Sequence, residues 1–376
     1  MTGAAAAAGA PIKVGLICTC SGAGGSGAFL VNGEKVYQAW VNSVNAAGGI
    51  NGHAIQLTTE DDSGTPGTSV SEVKTLISDH VVALVDISDL DSVWASTIQA
   101  ANIPVVGVND PNISFGSNPD FYPTGGTNQS DFPGVASVGK TAGVTKMGDF
   151  YCAEAVTCQL GISLLTSADN KAGIQLSYSA AVAATAPNYT AQCLVAQQAH
   201  LNGVFLGTVG LVNTRIAADC GRQGYNPTYL CQGTGFSMVE ATATGLKNNF
   251  WCEFETVPFF SNNPAIQAMN AAMDKYYPGV RENPNNFLQA NAQSWGAGLL
   301  LADALKAGGL TAAEAPTSAE IVKGLLSLHG DTLQGTAPPL TFTAGKPHPV
   351  NCWFTAQVRS GVPRLMNNGQ PTCAGS

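Results

Sequence analysis

Short apolar runs alternate along this chain with stretches of helical spacing. IKVGLIC (12–18) reads as a strand. Over 33–47, Val36, Trp40 and Val44 recur at every fourth position, one stripe of a helix, and Gly48-Gly49 stops it. HAIQLTTE (53–60) alternates like a strand. Thr65-Pro66 is a cap and first-turn proline for a helix carrying Val70, Val73, Leu76 and Ile77. VVALVDI (81–87), a helix near 91–101 and IPVVGV (103–108) complete the series. Apolar strands alternating with helices predict a parallel sheet covered on both faces.

The pattern then restarts. GVTKMGDFYC (143–152) is followed by a helix near 155–167, GIQLSYS (173–179) and a helix near 190–200. NGVFLGTV (202–209), a helix at 213–223, PTYLC (227–231) and NNFWCEFETV (248–257) follow. Two similar α/β halves are therefore expected rather than one long sheet. Residues 264–277, 287–307 and 317–328 read as helices, and the tail holds two strand-like runs, PLTFT and NCWFTAQV. A helical block returning after the second half is complete suggests that the chain crosses between lobes more than once.

Length and composition fit this reading. A chain of 376 residues with 45% hydrophobic content suits two domains and excludes wholesale disorder. Charged residues are only 11% and the net charge is −9, without a Lys/Arg-rich run. That balance argues against a nucleic-acid partner and against attraction to anionic membrane. The longest apolar stretch, WGAGLLLADAL, is too short to span a bilayer. The start, MTGAAAAAGAP, lacks a basic region and a bulky apolar core, so 1–10 reads as a flexible spacer and not an intact signal peptide. Ten cysteines without a C-x-x-C or H-x-x-x-H pair favour disulfides over zinc and place the protein outside the cytoplasm.

Gly22-Ala23-Gly24-Gly25-Ser26-Gly27 matches G-x-G-x-x-G after the first strand. A dinucleotide site also needs an immediate helix and an acid about 20 residues on. Here AFLV delays the helix, and the first strand-end acids are Glu60, Asp61 and Asp62. An NAD-dependent oxidoreductase is thus a remote alternative, and no cofactor is expected. A plain glycine-rich turn and a loop facing a small ligand at the carboxyl edge of the sheet both remain open. The five histidines (53, 80, 200, 329, 348) form no triad or metal pattern, and no G-x-S-x-G elbow occurs. No catalytic or metal-binding residue is assigned, and the chain is expected not to be an enzyme.

NSVNAAGGINGHAIQLTTEDD (42–62) resembles the stretch after the first helix in type I periplasmic solute-binding proteins of the branched-chain amino-acid (Leu/Ile/Val) class. IKVGLICTCSGAGG resembles that family's opening strand and Ser-Gly loop. ADCGRQGYNPTYL (218–230) and WGAGLLLADALKAGG resemble its later passages, so the similarity runs from about residue 11 to the end. The resemblance implies two Rossmann-like parallel-sheet lobes joined by a three-segment hinge. Lobe one would be 11–121 with 256–335, and lobe two 122–255 with 336–376, with crossings near FYPTGGTN, FETVPFF and APPLTFT. It further implies a monomer that captures a small carboxylate-bearing solute in the interlobe cleft by hinge closure. The solute would be passed to the permease subunits of an ABC importer, from the periplasm or from a lipid-anchored position at the cell surface. A ligand-sensing ectodomain or regulator of the same fold is the alternative.

In lobe one the loops after successive strands carry Ser21 and Gly22, then Ser88 and Asp89, then Asn109 and Asp110. The resemblance gives such loops the solute carboxylate, and Ser88 aligns with the family's carboxylate-binding serine region. A helix-cap role for Ser88 and Asp110 stays open, as does core packing for Phe29, a candidate aromatic wall. Lobe two offers Tyr151 and Glu154, Thr208 and Val209, then Gly233, Thr234 and Phe236. Amino-acid-binding relatives carry an acid after the strand matching PTYLC, where it pairs with the ligand ammonium. This chain reads CQGTGF there, and Val209 stands where an aromatic is usual. A buried ammonium without a partner is costly, so another acid (Glu154, Asp89 or Asp110) replaces that carboxylate or the solute has no ammonium.

Cys152 with Cys158 is a candidate local bridge, and Cys193 with Cys220 would join consecutive helices. Cys231 with Cys252 would join neighbouring strand regions, and Cys352 with Cys373 would clip the tail. Cys18 and Cys20 are read either as buried thiols or as a strained bridge.

Overall fold

The computed structural model describes residues 9–21, 30–108, 112–154 and 156–374. Most of the expected 1–10 spacer and the whole 22–27 glycine run, with Gly22, Phe29, Asn109 and Asp110, lie outside the described residues. The chain divides into two compact units, 1–128 with 261–350 and 129–260 with 351–376. The first two boundaries fall at the ends of FYPTGGTN and FETVPFF, and the third lies past APPLTFT, at 350.

The first unit opens with β1 (Ile12–Cys18), α1 (Gly33–Ala46), β2 (Ile55–Asp61), α2 (Pro66–Ser78) and β3 (Ala83–Ile87). It continues through α3 (Asp91–Ala100), β4 (Val105–Val106), α4 (Ile113–Ser117) and β5 (Phe121–Tyr122). The five strands pair in the order β2-β1-β3-β4-β5, all parallel. FYPTGGTN (121–128), expected near a crossing, begins with the edge strand β5 and ends at the unit boundary. Two residues suffice there because Phe121 and Tyr122 pair with Val105 and Val106 and are buried.

The second unit begins at α5 (Asn128–Thr141), which the apolar pattern does not show. Pro133 and Gly134 lie within this helix and dilute its apolar stripe. It is followed by β6 (Lys146–Cys152), α6 (Val156–Ala172), β7 (Gln175–Val182), α7 (Thr190–Gln198) and β8 (Gly203–Gly207). Next come α8 (Gly210–Arg222), β9 (Thr228–Gln232), α9 (Met238–Thr242) and β10 (Phe250–Phe254). These strands are parallel in the order β7-β6-β8-β9-β10, the same winding as in the first unit.

The chain returns to the first unit with α10 (Pro264–Tyr276), α11 (Ala290–Gly308), α12 (Ser318–Ser327), β11 (His329–Asp331) and β12 (Leu340–Thr341). The hairpin of β11 and β12, and His348 stacked 4.8 Å from Tyr122, keep the segment up to 350 in this unit. Finally β13 (Cys352–Arg359), β14 (Val362–Leu365) and β15 (Thr372–Cys373) extend the second sheet: β13 runs antiparallel to β10 and pairs with both β14 and β15.

All ten cysteines are paired: Cys18–Cys20, Cys152–Cys158, Cys193–Cys220, Cys231–Cys252 and Cys352–Cys373. Parallel register sets Cys231 opposite Cys252, and antiparallel register sets Cys352 opposite Cys373. The bridged alternative therefore holds at Cys18 and Cys20.

Candidate functional site

In a doubly wound sheet the winding reverses between the first and third strands of the series, leaving a crevice at their carboxyl ends. In the first unit that point lies between β1 and β3, and the loops leaving them carry Ser21 and Ser88. Two consecutive acids at the end of β2 tie those loops together. Asp61 accepts hydrogen bonds from the amides of Cys20 (3.0 Å), Ser21 (3.3 Å) and Ser63 (2.9 Å). Burial raises its pKa, but these bonds and the Ser21 hydroxyl outweigh that and hold it below the usual carboxylate value. Asp62, fully buried, accepts from Thr19 Oγ1 (2.9 Å), the Gly64 amide (2.8 Å), Ser69 Oγ (3.2 Å) and, in a short bond, Ser88 Oγ.

Ser88 is thus buried at the edge with its groups engaged inside the unit. Its hydroxyl donates to Asp62 and accepts from the Leu90 amide, and its own amide donates to Asp86 at 3.0 Å. Burial, then the neighbouring Asp91, push Asp86 well above the usual carboxylate value. Asn112 Nδ2 donates to the Ser88 carbonyl at 2.8 Å, fixing the next loop as well. Ser21 stays exposed, its hydroxyl 3.0 Å from that of Ser63. Asp89 lies beside Ser88, half-buried.

The second unit repeats the geometry between β6 and β8. Tyr151 is half-buried on β6, and Glu154 accepts the Ala184 amide at 2.6 Å from the loop after β7. Thr208 donates its hydroxyl to Asn213 Oδ1; Asn213 in turn donates to Glu240 Oε1 (2.8 Å). Glu240 also accepts the Ser237 amide, closing a capping box at the start of α9. Burial raises the Glu240 pKa to about 7. Val209 is the half-buried N-cap of α8. After β9, Gly233 passes so close to Phe254 and the Glu253 carbonyl that a Cβ would overlap them. Thr234 Oγ1 donates to Glu255 Oε1 at 2.5 Å, and the Phe236 ring is enclosed by Phe250, Phe254, Phe259 and Phe260.

Of the predicted residues, Ser21, Ser88 and Asp89 lie at the carboxyl edge of the first sheet and Tyr151, Glu154, Thr208, Val209, Gly233 and Thr234 at that of the second, whereas Phe236 packs in an aromatic cluster. The sequence reading missed the acids that organise those edges. Asp61 and Asp62 read as strand-end charges, and Glu240, Glu253 and Glu255 went unassigned. A signal existed in FWCEFETV, where acids two residues apart interrupt an apolar run.

Each of the two α/β units, alike in winding, thus carries a carboxyl edge whose loops are stapled by internal carboxylates. The chain belongs to the periplasmic binding protein family, whose description matches residues 11–363. That family is one of solute-binding proteins and not of enzymes. Leu/Ile/Val-binding protein homolog 4 of Brucella abortus is 35% identical over 85 residues, 23% of this chain; the chain spans about a fifth of that relative's length, 20%.

A branched-chain amino-acid ABC transporter protein from Thermus thermophilus with bound valine superposes with a TM-score of 0.81 at 13% identity, covering 97% of each chain. A solute-binding protein from R. palustris in complex with benzoate gives 0.73 at 16% identity, covering 97% of this chain and 98% of its own. At these identities the likeness establishes the fold, that of ABC-transporter substrate-binding proteins, and the family is extracytoplasmic. Among the described residues no helix is long and apolar enough to cross a membrane.

Proposed function

We propose that this protein captures a small carboxylate-bearing solute lacking an ammonium group and delivers it to the permease of an ABC importer, acting as a monomer outside the cytoplasm. The observation that carries the reading is the loop after β9. CQGTGF has no acid to meet an ammonium; the buried acid it touches, Glu255, lies past the next strand, with one oxygen held by Thr234. Of the substitutes, Glu154 is spent on the Ala184 amide. Family membership supplies the mechanism, closure of two lobes on the solute. Ser21, Ser88 and Asp89, with Gly22, Phe29, Asn109 and Asp110, would serve the carboxylate side. Tyr151, Glu154, Thr208, Val209, Gly233, Thr234 and Phe236 would serve the other. That relatives of this fold hold benzoate in one case and valine in another makes the ammonium the property to test.

A thermal-shift screen followed by native mass spectrometry decides the matter. Benzoate, short-chain and fatty acids, their amides, leucine, valine and NADH form the panel. The expected outcome is a rise in Tm with an amine-free acid and none with leucine or valine. Stabilisation by NADH alone, turnover of any hit, or a response confined to leucine and valine would overturn the proposal.

A further inference from the structure

Three acids meet on one side of the second unit's sheet. Glu253 on β10 and Glu255, just past the strand's end, lie together, and Asp131 reaches them from the first turn of α5. One carboxylate oxygen from each lies within 4.8 Å of the other two. Glu253 and Glu255 are 0% exposed and Asp131 is 3% exposed.

The second observation is what Glu253 lacks. Neither of its oxygens accepts a well-formed hydrogen bond, the Gly233 amide only approaching it, and Oε2 of Glu255 has no partner. Neither residue has a Lys or Arg partner among the described residues. Glu253 is also confined: α5 passes over it at Gly134, where a Cβ would lie 3.1 Å from Glu253 Oε2 and 3.1 Å from the Trp353 ring. Fully buried carboxylates without a cation or donors are strongly disfavoured unless something positive sits among them.

We propose that Asp131, Glu253 and Glu255 hold a hard divalent cation, calcium foremost, as a structural ion of the second unit. Calcium takes oxygen ligands at about 2.3–2.6 Å, so oxygens on opposite sides of the ion lie about 5 Å apart, which the 4.8 Å spacing fits. Three carboxylates offer six oxygens, within the six to eight that calcium takes, whereas magnesium usually keeps several waters. With no thiolate or imidazole in the set, soft metals are not favoured. The Thr234 hydroxyl, donating to Glu255 at 2.5 Å, orients that ligand from outside. Burial, and then the charges of Glu255 and Asp131, raise the Glu253 pKa, and Glu255 is pushed to about 7. Ion binding must therefore release protons and strengthen as pH rises. The ion's ligands are not among the residues proposed to bind solute, and its test is run without solute, so it is read separately from the proposed transport role.

The full chain, stripped with a chelator and without solute, is titrated separately with Ca²⁺, Mg²⁺ and Mn²⁺ by calorimetry and by thermal shift. One Ca²⁺ per chain is expected, with Tm climbing as Ca²⁺ is added and weaker binding at pH 6 than at pH 8. Glu253→Gln should weaken binding about tenfold or more, yet melt no lower than the stripped wild type because it removes a buried like charge. Should that variant fail to fold, Glu255→Gln is measured in its place. Binding of Mg²⁺ or Mn²⁺ that is lost in the variant also supports the site. The proposal is overturned if none of the three ions binds the stripped wild type at millimolar concentration, or if a folded variant binds as the wild type does.

Discussion

Asp62 shows how one buried side chain can organise a binding edge. Its two oxygens take donors from the loops after β1, β2 and β3 and from the start of α2: Thr19, Gly64, Ser88 and Ser69. Asp62→Ala leaves three buried hydroxyls and an amide without that acceptor, and should cost about 3 kcal/mol in urea unfolding. Asp61→Ala, which frees amides that water can reach, should cost much less. The sequence shows the Asp61-Asp62 pair but not this division of labour. Consecutive residues leaving a strand point to opposite sides, and which side is dry depends on β1 and β3, which lie far from it in the chain. Ser88 was legible as an edge residue, but not its engagement with Asp62.

Between elements, glycine sets the closeness of packing. Gly324 of α12 lies against the Ala304 carbonyl of α11, where a Cβ would overlap backbone that cannot step aside. Gly324→Ala should therefore cost about 3 kcal/mol or more, read from the unfolding midpoint. Gly67, in the first turn of α2, has nothing within 4 Å of its Cβ position, so Gly67→Ala should stabilise by about 0.5 kcal/mol. The α7–α8 bridge, Cys193–Cys220, closes a loop of sequence separation 27. Replacing both cysteines by serine should lower stability by about 3–4 kcal/mol, the loop-closure value, checked by reversible urea unfolding. Most helices and the longer strands were legible because their apolar stripes decide burial. α5 was not, since Pro133 and its glycines weaken the stripe that packing against β10 and β13 still uses. Nor was β5, whose two residues carry no period.

Taken as a whole, the molecule buries many more acids than it pairs. Burial pushes Asp149, Asp169, Glu240 and Glu255 each to about 7. Unfolded, such groups titrate near 4, so between about pH 4 and 7 the folded chain binds more protons than the unfolded one. Their contribution is fully present below about pH 4 and is lost as pH rises through about 7. His348, its pKa lowered by burial, works the other way, but as one group against at least four. In metal-free buffer, Tm should therefore be higher at pH 5.5 than at pH 8, and a flat or opposite profile by calorimetry would contradict this account.

The sequence by itself determined two α/β halves, an exported chemistry of paired cysteines and a family likeness, because period, turn residues and cysteine count act locally or through composition. Only the tertiary structure decided where the chain last crosses between units, that Cys18 pairs with Cys20, and which acids lie together out of water. Those outcomes depend on strand order and on helices that bring Asp131 to Glu253 and Asp62 to Ser88, and no local pattern encodes such meetings.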